Sequence, residues 1–313
     1  MKAIRLHWYG GPEELILEDV PIPEPAPGEL LLRVNGAGVG PWDALVREGQ
    51  SKLPETLPLT PGSDIAGIVE RFGDPVSDFH AGDAVYGVTN AAFVGGYAEF
   101  AFASSASVAS KPRTLDFAAA ASVPVVAVTA RQMLFDRAAV KRGQSVLVQG
   151  AAGSVGAYVV QMAHRAGANV TAVAGAADAS YVRDLGADAA IDFHSQRFED
   201  AIDPVDVVID LVGGDVQERS FAVLKPGGIL VSSVSQPSED RAAHFGVRVA
   251  FFVVSVERET LEQIGAQIDA GELRTNVGVV LPLADAKTAH QMLAGVVSHP
   301  RGKIVLDTNV AQR

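Results

Sequence analysis

Through roughly the first 110 residues, apolar positions come in short runs set off by Gly, Pro and Asp: Ala3–Trp8, Leu15–Val20, Leu30–Val34, Ile65–Phe72, Ala84–Val88 and Tyr97–Phe102. Runs of this length, bounded by turn residues, predict strands, so this stretch reads as an all-β domain. The texture then changes to Ala-rich helical stretches, Phe117–Ser122 and Val125–Ala139 after Pro124, alternating with compact apolar strands. Those strands are Ser145–Gln149, Asn169–Ala174, Ala189–Ile191, Val205–Ile209 and Ile229–Ser232. Helices are predicted between them at Ser154–Ala166, Ala179–Leu185 and Val216–Leu224, the last stopped by Lys225-Pro226-Gly227-Gly228. Strand–helix alternation of this kind predicts an α/β fold with a doubly wound parallel sheet. Beyond it come a strand near Val247–Val254, helices near Glu257–Ala270 and Ala284–Ala294, and a closing strand Lys303–Asp307. Pattern alone does not assign this tail to either domain.

Composition narrows the chemistry. The 313 residues are 48% hydrophobic and 20% charged, the profile of a globular protein. No cysteine is present, which excludes disulfides, thiolate zinc sites, iron–sulfur clusters and a cysteine nucleophile. Twenty-five basic against 37 acidic residues give a net charge of −12, which speaks against nucleic acid and anionic lipid as partners. Met1-Lys2-Ala3-Ile4-Arg5 opens no apolar leader, and no apolar run is long enough to span a bilayer, so a cytoplasmic location without membrane contact is expected. The Pro-rich stretch Pro21–Gly28 reads as an extended connector between strands.

The most informative segment is Val146-Leu147-Val148-Gln149 running into Gly150-Ala151-Ala152-Gly153-Ser154-Val155-Gly156 and then a helical run from Ala157. In a dinucleotide site this order has a reason: Gly150 makes the tight turn, Gly153 admits the pyrophosphate to the backbone, and Gly156 packs helix on strand. The helix N-terminus adds free N–H groups and the positive end of its dipole. At the end of the next strand, Val173-Ala174-Gly175-Ala176-Ala177 carries no acid, which favours NADP(H) over NAD, although Asp178 follows closely. Ser180, Tyr181 and Arg183 are the nearest groups able to meet a phosphate; plain surface positions on a helix suit them equally.

At this point the chain resembles, along its whole length, the medium-chain dehydrogenase/reductases, in their zinc-free quinone oxidoreductase (zeta-crystallin-like) and alkenal/enone reductase branch. The resemblance rests on Leu59–Gly67, Gly95-Gly96-Tyr97-Ala98-Glu99-Phe100, Val128-Thr129-Ala130, the glycine turn, Leu185–Asp188, Leu224–Gly228 and Arg301–Val305. It implies a GroES-like β-barrel domain from residues 1–115 and 278–313, a Rossmann domain from 116–277, and an active site in the cleft between them. It further implies a cofactor lining of Thr129, Ala152 to Val155, Gly175, Phe193 near the adenine, Val212, Gly213, Ser233, Val234, Ser235, Phe251, Phe252 and Val253. On apolar strands Val212, Phe251 and Phe252 would serve equally as core.

The zinc ligands of related alcohol dehydrogenases are missing: Gly40 follows Ala37-Gly38-Val39, and Ser63-Asp64 stand where a His-Glu pair would be. Without a Lewis acid, reduction of a quinone or an α,β-unsaturated carbonyl is preferred over alcohol oxidation. A zinc-free alcohol dehydrogenase and a non-catalytic NADPH-binding structural or RNA-binding protein remain the alternatives. The branch's Asn and Tyr near the substrate are replaced by Gly40 and Leu45. Tyr97 and Asp43 are the candidate catalytic substitutes, against plain roles in a barrel strand and a turn cap. His194, His244, His290 and His299 read as surface residues. The apolar run Val247–Val254 suggests a sheet edge that pairs across a two-fold axis in a homodimer.

Overall fold

The computed structural model describes residues 1–51, 53, 56–73 and 78–309. The chain forms β1 (Lys2–Leu6), β2 (Leu15–Asp19), β3 (Glu29–Val39), α1 (Pro41–Arg47), β4 (Asp64–Phe72), β5 (Ala84–Val88), β6 (Phe100–Ser104), β7 (Val108–Ser110) and α2 (Phe117–Ala121). Next come α3 (Pro124–Arg131), β8 (Ser145–Gln149), α4 (Ser154–Arg165), β9 (Asn169–Ala174), α5 (Ala179–Asp184), β10 (Ala189–Asp192), β11 (Val205–Asp210), α6 (Gly214–Ser220), β12 (Leu224–Ser232), α7 (Glu239–Phe245) and β13 (Arg248–Phe251). The tail supplies α8 (Arg258–Asp269), β14 (Val277–Pro282), α9 (Ala286–Leu293) and β15 (Lys303–Asp307).

Two compact units result, one from Met1–Val125 with Ser255–Arg313, the other from Val126–Val254. The crossings thus fall at 125/126 and 254/255, where 115/116 and 277/278 were expected. Both displacements have contacts behind them. The helix α2 packs on β3 and β4, and α8 packs on β7, with the Tyr86 hydroxyl donating to the Leu261 carbonyl at 2.5 Å.

The first unit is built on a seven-stranded sheet of order β14-β15-β3-β4-β5-β7, with β6 also paired to β3, and a separate β1-β2 hairpin. It is not purely β, since α1 and α2 lie within it; Pro41 at the first helical position and the Asp116 carboxylate accepting the Ala119 N–H start them. Its core gathers Ile4, Leu6, Leu32, Val34, Ile65, Val85 and Ile304. The small residues of strand β3 let a helix lie directly on it. Gly36 and Gly38 share one face, and a methyl on either would come within 2.9 Å or 2.5 Å of the α2 carbonyls of Phe117 and Ala121.

The second unit is a parallel six-stranded sheet of order β10-β9-β8-β11-β12-β13, the doubly wound arrangement that the alternation predicted. Its strands read as continuous apolar runs because both faces are covered; Val146, Leu147, Val148, Val208 and Ile209 are fully buried. Lys225-Pro226-Gly227-Gly228 is not the turn the dipeptides suggested. It lies inside β12, where the register with β11 jumps from Val205↔Leu224 to Val207↔Ile229, a bulge that absorbs the Pro and Gly residues. The helix expected over Val125–Ala139 is α up to Arg131 and then a π-helical turn, Gln132–Arg137. Only four residues of the apolar run Val247–Val254 pair, as β13 at the sheet edge. Among the described residues no helix is long and apolar enough to cross a membrane.

Candidate active site

In the second unit the glycine turn joins β8 to α4. Gly150 takes φ +74°, a left-handed conformation that glycine adopts without steric cost. A methyl on Gly156 would stand 2.3 Å from the Gly150 carbonyl oxygen, so that position carries the helix against the turn. Gly153 caps α4 in extended conformation with no side-chain cap bond, and the first-turn N–H groups have no intrahelical acceptors. A methyl there would meet only the Gly150 oxygen, at 3.3 Å. The turn therefore presents bare backbone donors and a positive dipole end, which fits a pyrophosphate.

Other expected lining residues collect at the same, C-terminal edge of the parallel sheet, where ligands of such sheets bind. Gly175 follows β9, and a methyl on it would reach the Phe193 ring at 3.9 Å. Phe193 is 56% exposed just past β10. Gly213, after β11, packs beside Val234 and Ser235, after β12, and Val212 and Val234 stay about half exposed. Ser233 lies in the same loop. Other expected residues sit differently. Thr129 is buried on α3, and Phe252 is buried with the Arg137 guanidinium 5.1 Å above its ring, because an aromatic at the end of an edge strand gains more from that cover than from water. Phe251 ends β13, Val253 is exposed, and Ser180 and Arg183 are exposed on α5.

Asp210 was not singled out beforehand, yet it organises this edge. Fully buried at the end of β11, it accepts the N–H of Val212 (3.1 Å) and Gly213 (2.9 Å) on one oxygen and the Gln217 amide (2.8 Å) on the other. Gln217 in turn donates to Ser235, tying the two loops together. An acid directly after the apolar run Val207–Ile209 was the available signal.

In the first unit a second buried polar cluster forms. The Tyr97 hydroxyl donates to Asp43 Oδ2 at 2.9 Å, and the Gly40 N–H donates to the same oxygen at 2.8 Å. The two residues picked as candidate acid–base groups are thus neighbours, and both are buried. His290, expected at the surface, is fully buried, because α9 packs its inward face on the barrel core. Its Nδ1 lies 2.8 Å from Arg47 Nη1, and its Nε2 lies 3.4 Å from the Tyr97 hydroxyl. Arg47 also donates to the Gly10 carbonyl and to Glu48. Burial pushes the Asp43 carboxyl up to about 7, against the pull of the Lys303 ammonium. Burial, then the Arg47 charge, takes His290 down to about 3. Burial and the Asp43 carboxylate hold the Tyr97 phenol well above its ordinary range.

Beside this cluster, Asp64 is filled on both oxygens: Oδ1 accepts the Val125 N–H at 2.8 Å and Oδ2 the Lys303 ammonium at 2.9 Å. Among the described residues no group of three or more His, Cys, Asp or Glu stands together as a metal-holding set.

A parallel-sheet unit with a glycine turn at its C-terminal edge, joined in one chain to a β-rich unit with a buried polar cluster, defines a two-domain dehydrogenase or reductase. Known proteins give the family. Residues 26–113 match the alcohol dehydrogenase GroES-like domain, and residues 185–306 match the family described as zinc-binding dehydrogenase. Quinone oxidoreductase of Sus scrofa is 34% identical over 321 residues, covering 96% of this chain and 95% of its own. NADPH-dependent alkenal/one oxidoreductase, chloroplastic, of Arabidopsis thaliana is 34% identical over 319 residues, 98% of this chain and 79% of its own. The crystal structure of Escherichia coli quinone oxidoreductase complexed with NADPH superposes with a TM-score of 0.90 at 26% identity, covering 98% of this chain and all of that one. The chain belongs to the medium-chain dehydrogenase/reductase family and is an oxidoreductase with a GroES-like and a Rossmann-type domain.

Proposed function

We propose that the protein is a zinc-independent, NADPH-dependent reductase of quinones or α,β-unsaturated carbonyl compounds that works as a cytoplasmic homodimer. The observation that carries the reading is the bare-backbone turn Gly150–Gly156 at the head of α4. When bound, a reduced nicotinamide supplies the hydride. The first-turn N–H groups of α4 hold the pyrophosphate, Gly175 and Phe193 border the adenosine, and the half-exposed Val212 and Val234 give the rest of the dinucleotide an apolar seat.

NADPH over NADH is supported by the absence of an acid on the β9 end and by Arg183, which makes no ion pair among the described residues. Two relatives point the same way through their names, one NADPH-dependent and one complexed with NADPH. Zinc independence is supported by the donor set: Gly40 offers no side chain, and Asp64 is already filled by an ammonium and an N–H. A zinc ion placed against that ammonium would be repelled. Asp43 and Tyr97 act in this reading as positioning residues that hold Gly40 and α1 from behind. The dimer rests on β13, an apolar edge strand paired on one side only among the described residues.

One specific observation favours NADH as a second reading. The Asp192 carboxylate, at the end of β10, is held in its charged form by the Ser195 hydroxyl and the His194 N–H, and it stands beside the β9 end. Fluorescence titration with both cofactors decides between them: NADPH should bind more tightly, and failure to bind either at sub-millimolar concentration would overturn the assignment. Screening quinones, enones and alcohols with the preferred cofactor then separates a reductase from an alcohol dehydrogenase and from a non-catalytic binder.

A further inference from the structure

Lys303 is 5% exposed and begins β15. The register that pairs Ile304 with Val39 brings Lys303 opposite Gly40, one step beyond the end of β3. Its side chain runs along the face of β3 that carries Gly38 and Gly40. A methyl on Gly38 would come within 3.1 Å of Lys303 Cε and 2.8 Å of Asp64 Cβ. A methyl on Gly40 would come within 3.1 Å of Lys303 Nζ, and among the described residues, its two chain neighbours aside, no other atom stands within 4 Å of it. The ammonium therefore lies over the Gly40 backbone with no side chain of that residue between them. It has three N–H donors, and among the described residues only one is used, on Asp64. A buried cation normally has all its donors satisfied, since each one left unpaired is destabilising. Two free donors facing a side-chain-free floor are a site prepared for an acceptor that comes from outside.

We propose that the Lys303 ammonium, held by Asp64 and lying over Gly40, is the electrophile that binds the carbonyl oxygen of the substrate and stabilises the oxyanion formed on reduction. The proposal rests on the reductase reading and names its substrate class by chemistry: a carbonyl conjugated to a carbon–carbon double bond. In the step, the C–H bond of a reduced nicotinamide breaks and its electron pair forms a C–H bond at the β-carbon. The π pair of the double bond shifts to join the α- and carbonyl carbons, and the carbonyl π pair becomes the charge on oxygen. Lys303 donates a hydrogen bond to that oxygen, and water afterwards protonates the α-carbon. For a quinone the hydride goes to one carbonyl oxygen, the π pairs shift round the ring, and the charge on the other oxygen is that of a hydroquinone monoanion. The charge Lys303 meets exists fully only after hydride arrives, so the contact favours the transition state over the ground state.

Lys303→Met alone would strand the Asp64 charge and risk unfolding, so two other variants carry the test. Asp64→Asn/Lys303→Met removes the cation without leaving a charge. Gly40→Ala keeps the pair and covers the ammonium with one methyl, at a residue whose φ of −143° suits any side chain. Both should keep the thermal midpoint and NADPH affinity of the parent, and both should lose roughly 10²–10³-fold in kcat for an enone, the usual effect of deleting one oxyanion donor. A second readout needs neither cofactor nor turnover. Bound p-nitrophenol, an oxyanion mimic followed at 400 nm, should ionise about one pH unit or more lower than in water with the parent protein, an opposite charge nearby favouring the anion. It should show no shift with either variant. Variants that turn over the enone within threefold of the parent, or that shift p-nitrophenol as the parent does, would overturn the assignment of Lys303. If the parent reduces no enone or quinone, the reductase reading fails by itself, and the p-nitrophenol titration still decides whether Lys303 is an oxyanion site.

Discussion

Replacing Asp43 by Asn should make the protein more stable at neutral and alkaline pH and change nothing at pH 4. Asp43 Oδ2 accepts two hydrogen bonds, from Gly40 and Tyr97, and Oδ1 is buried without a partner. An Asn side chain keeps the accepting oxygen and places its amide where the proton of a neutral Asp43 would be. The carboxyl titrates at about 7 in the folded protein, against 3.8 for the reference side chain. Between those values the native state holds a proton that the unfolded chain has released. The stability tied to that proton is complete below about pH 4, falls as pH rises, and is gone above about 7. A raise of roughly three units corresponds to about 4 kcal/mol, or about 8–16 °C in midpoint for a unit of this size. His290 works in the opposite sense: its native value of about 3 lies below the usual 6.5, so its contribution is complete above 6.5 and is lost as pH falls. The two slopes oppose each other between about pH 4 and 6.5. The parent should thus be nearly flat there, while Asp43→Asn, with only His290 left, should lose stability on acidification. Differential scanning fluorimetry of both proteins from pH 4 to 8.5 measures the difference directly. Parallel profiles would refute the argument that burial keeps Asp43 protonated in the native state.

Three further outcomes are expected. Gly153→Asp should abolish NADPH binding by setting a carboxylate where the pyrophosphate must approach, yet leave the midpoint unchanged or slightly raised, because Asp is a favoured N-cap in the extended conformation found there; fluorescence titration and a melting curve read the two effects. Asp210→Ala should cost about 3–5 kcal/mol in the Rossmann-type domain, since it strands three donors around a fully buried position; a midpoint within 2 °C of the parent would contradict this. If β13 is the dimer edge, Val249→Arg should shift the mass by light scattering toward the 32.6 kDa monomer without altering cofactor affinity.

What was legible beforehand was local. The turn at Gly150, the helix it starts and the strands flanking it are set by residues next to one another in sequence, and they lie where the spacing placed them. Helix α7 could have been found by the same means, as Ser238 caps its start and Gly246 closes it in left-handed conformation. Lys225–Gly228 was read by its dipeptides as a turn, but a tertiary partner, β11, holds it in a strand. The buried cluster was half visible: Asp43 and Tyr97 were singled out, each for its own chemistry. Their contact with each other, with His290 and with Arg47 spans separations that no pattern encodes, and so does the pairing of Lys303 with Asp64.

The placement of β15 has a consequence for biosynthesis. The long central strand β3 and its neighbour β4 leave the ribosome early, but the strand that closes their sheet, and the ammonium that neutralises Asp64, are encoded beyond the entire Rossmann-type domain. At about 5–20 residues per second, a nascent chain waits on the order of 10–40 s between completing α2 and receiving Lys303. During that interval β3 carries an open edge and Asp64 lacks its counter-ion, while every strand of the parallel sheet becomes available in an unbroken stretch. Domain maturation should therefore run inside out, the inserted domain first and the discontinuous one last, with the unsealed β-sheet as the species most in need of a chaperone.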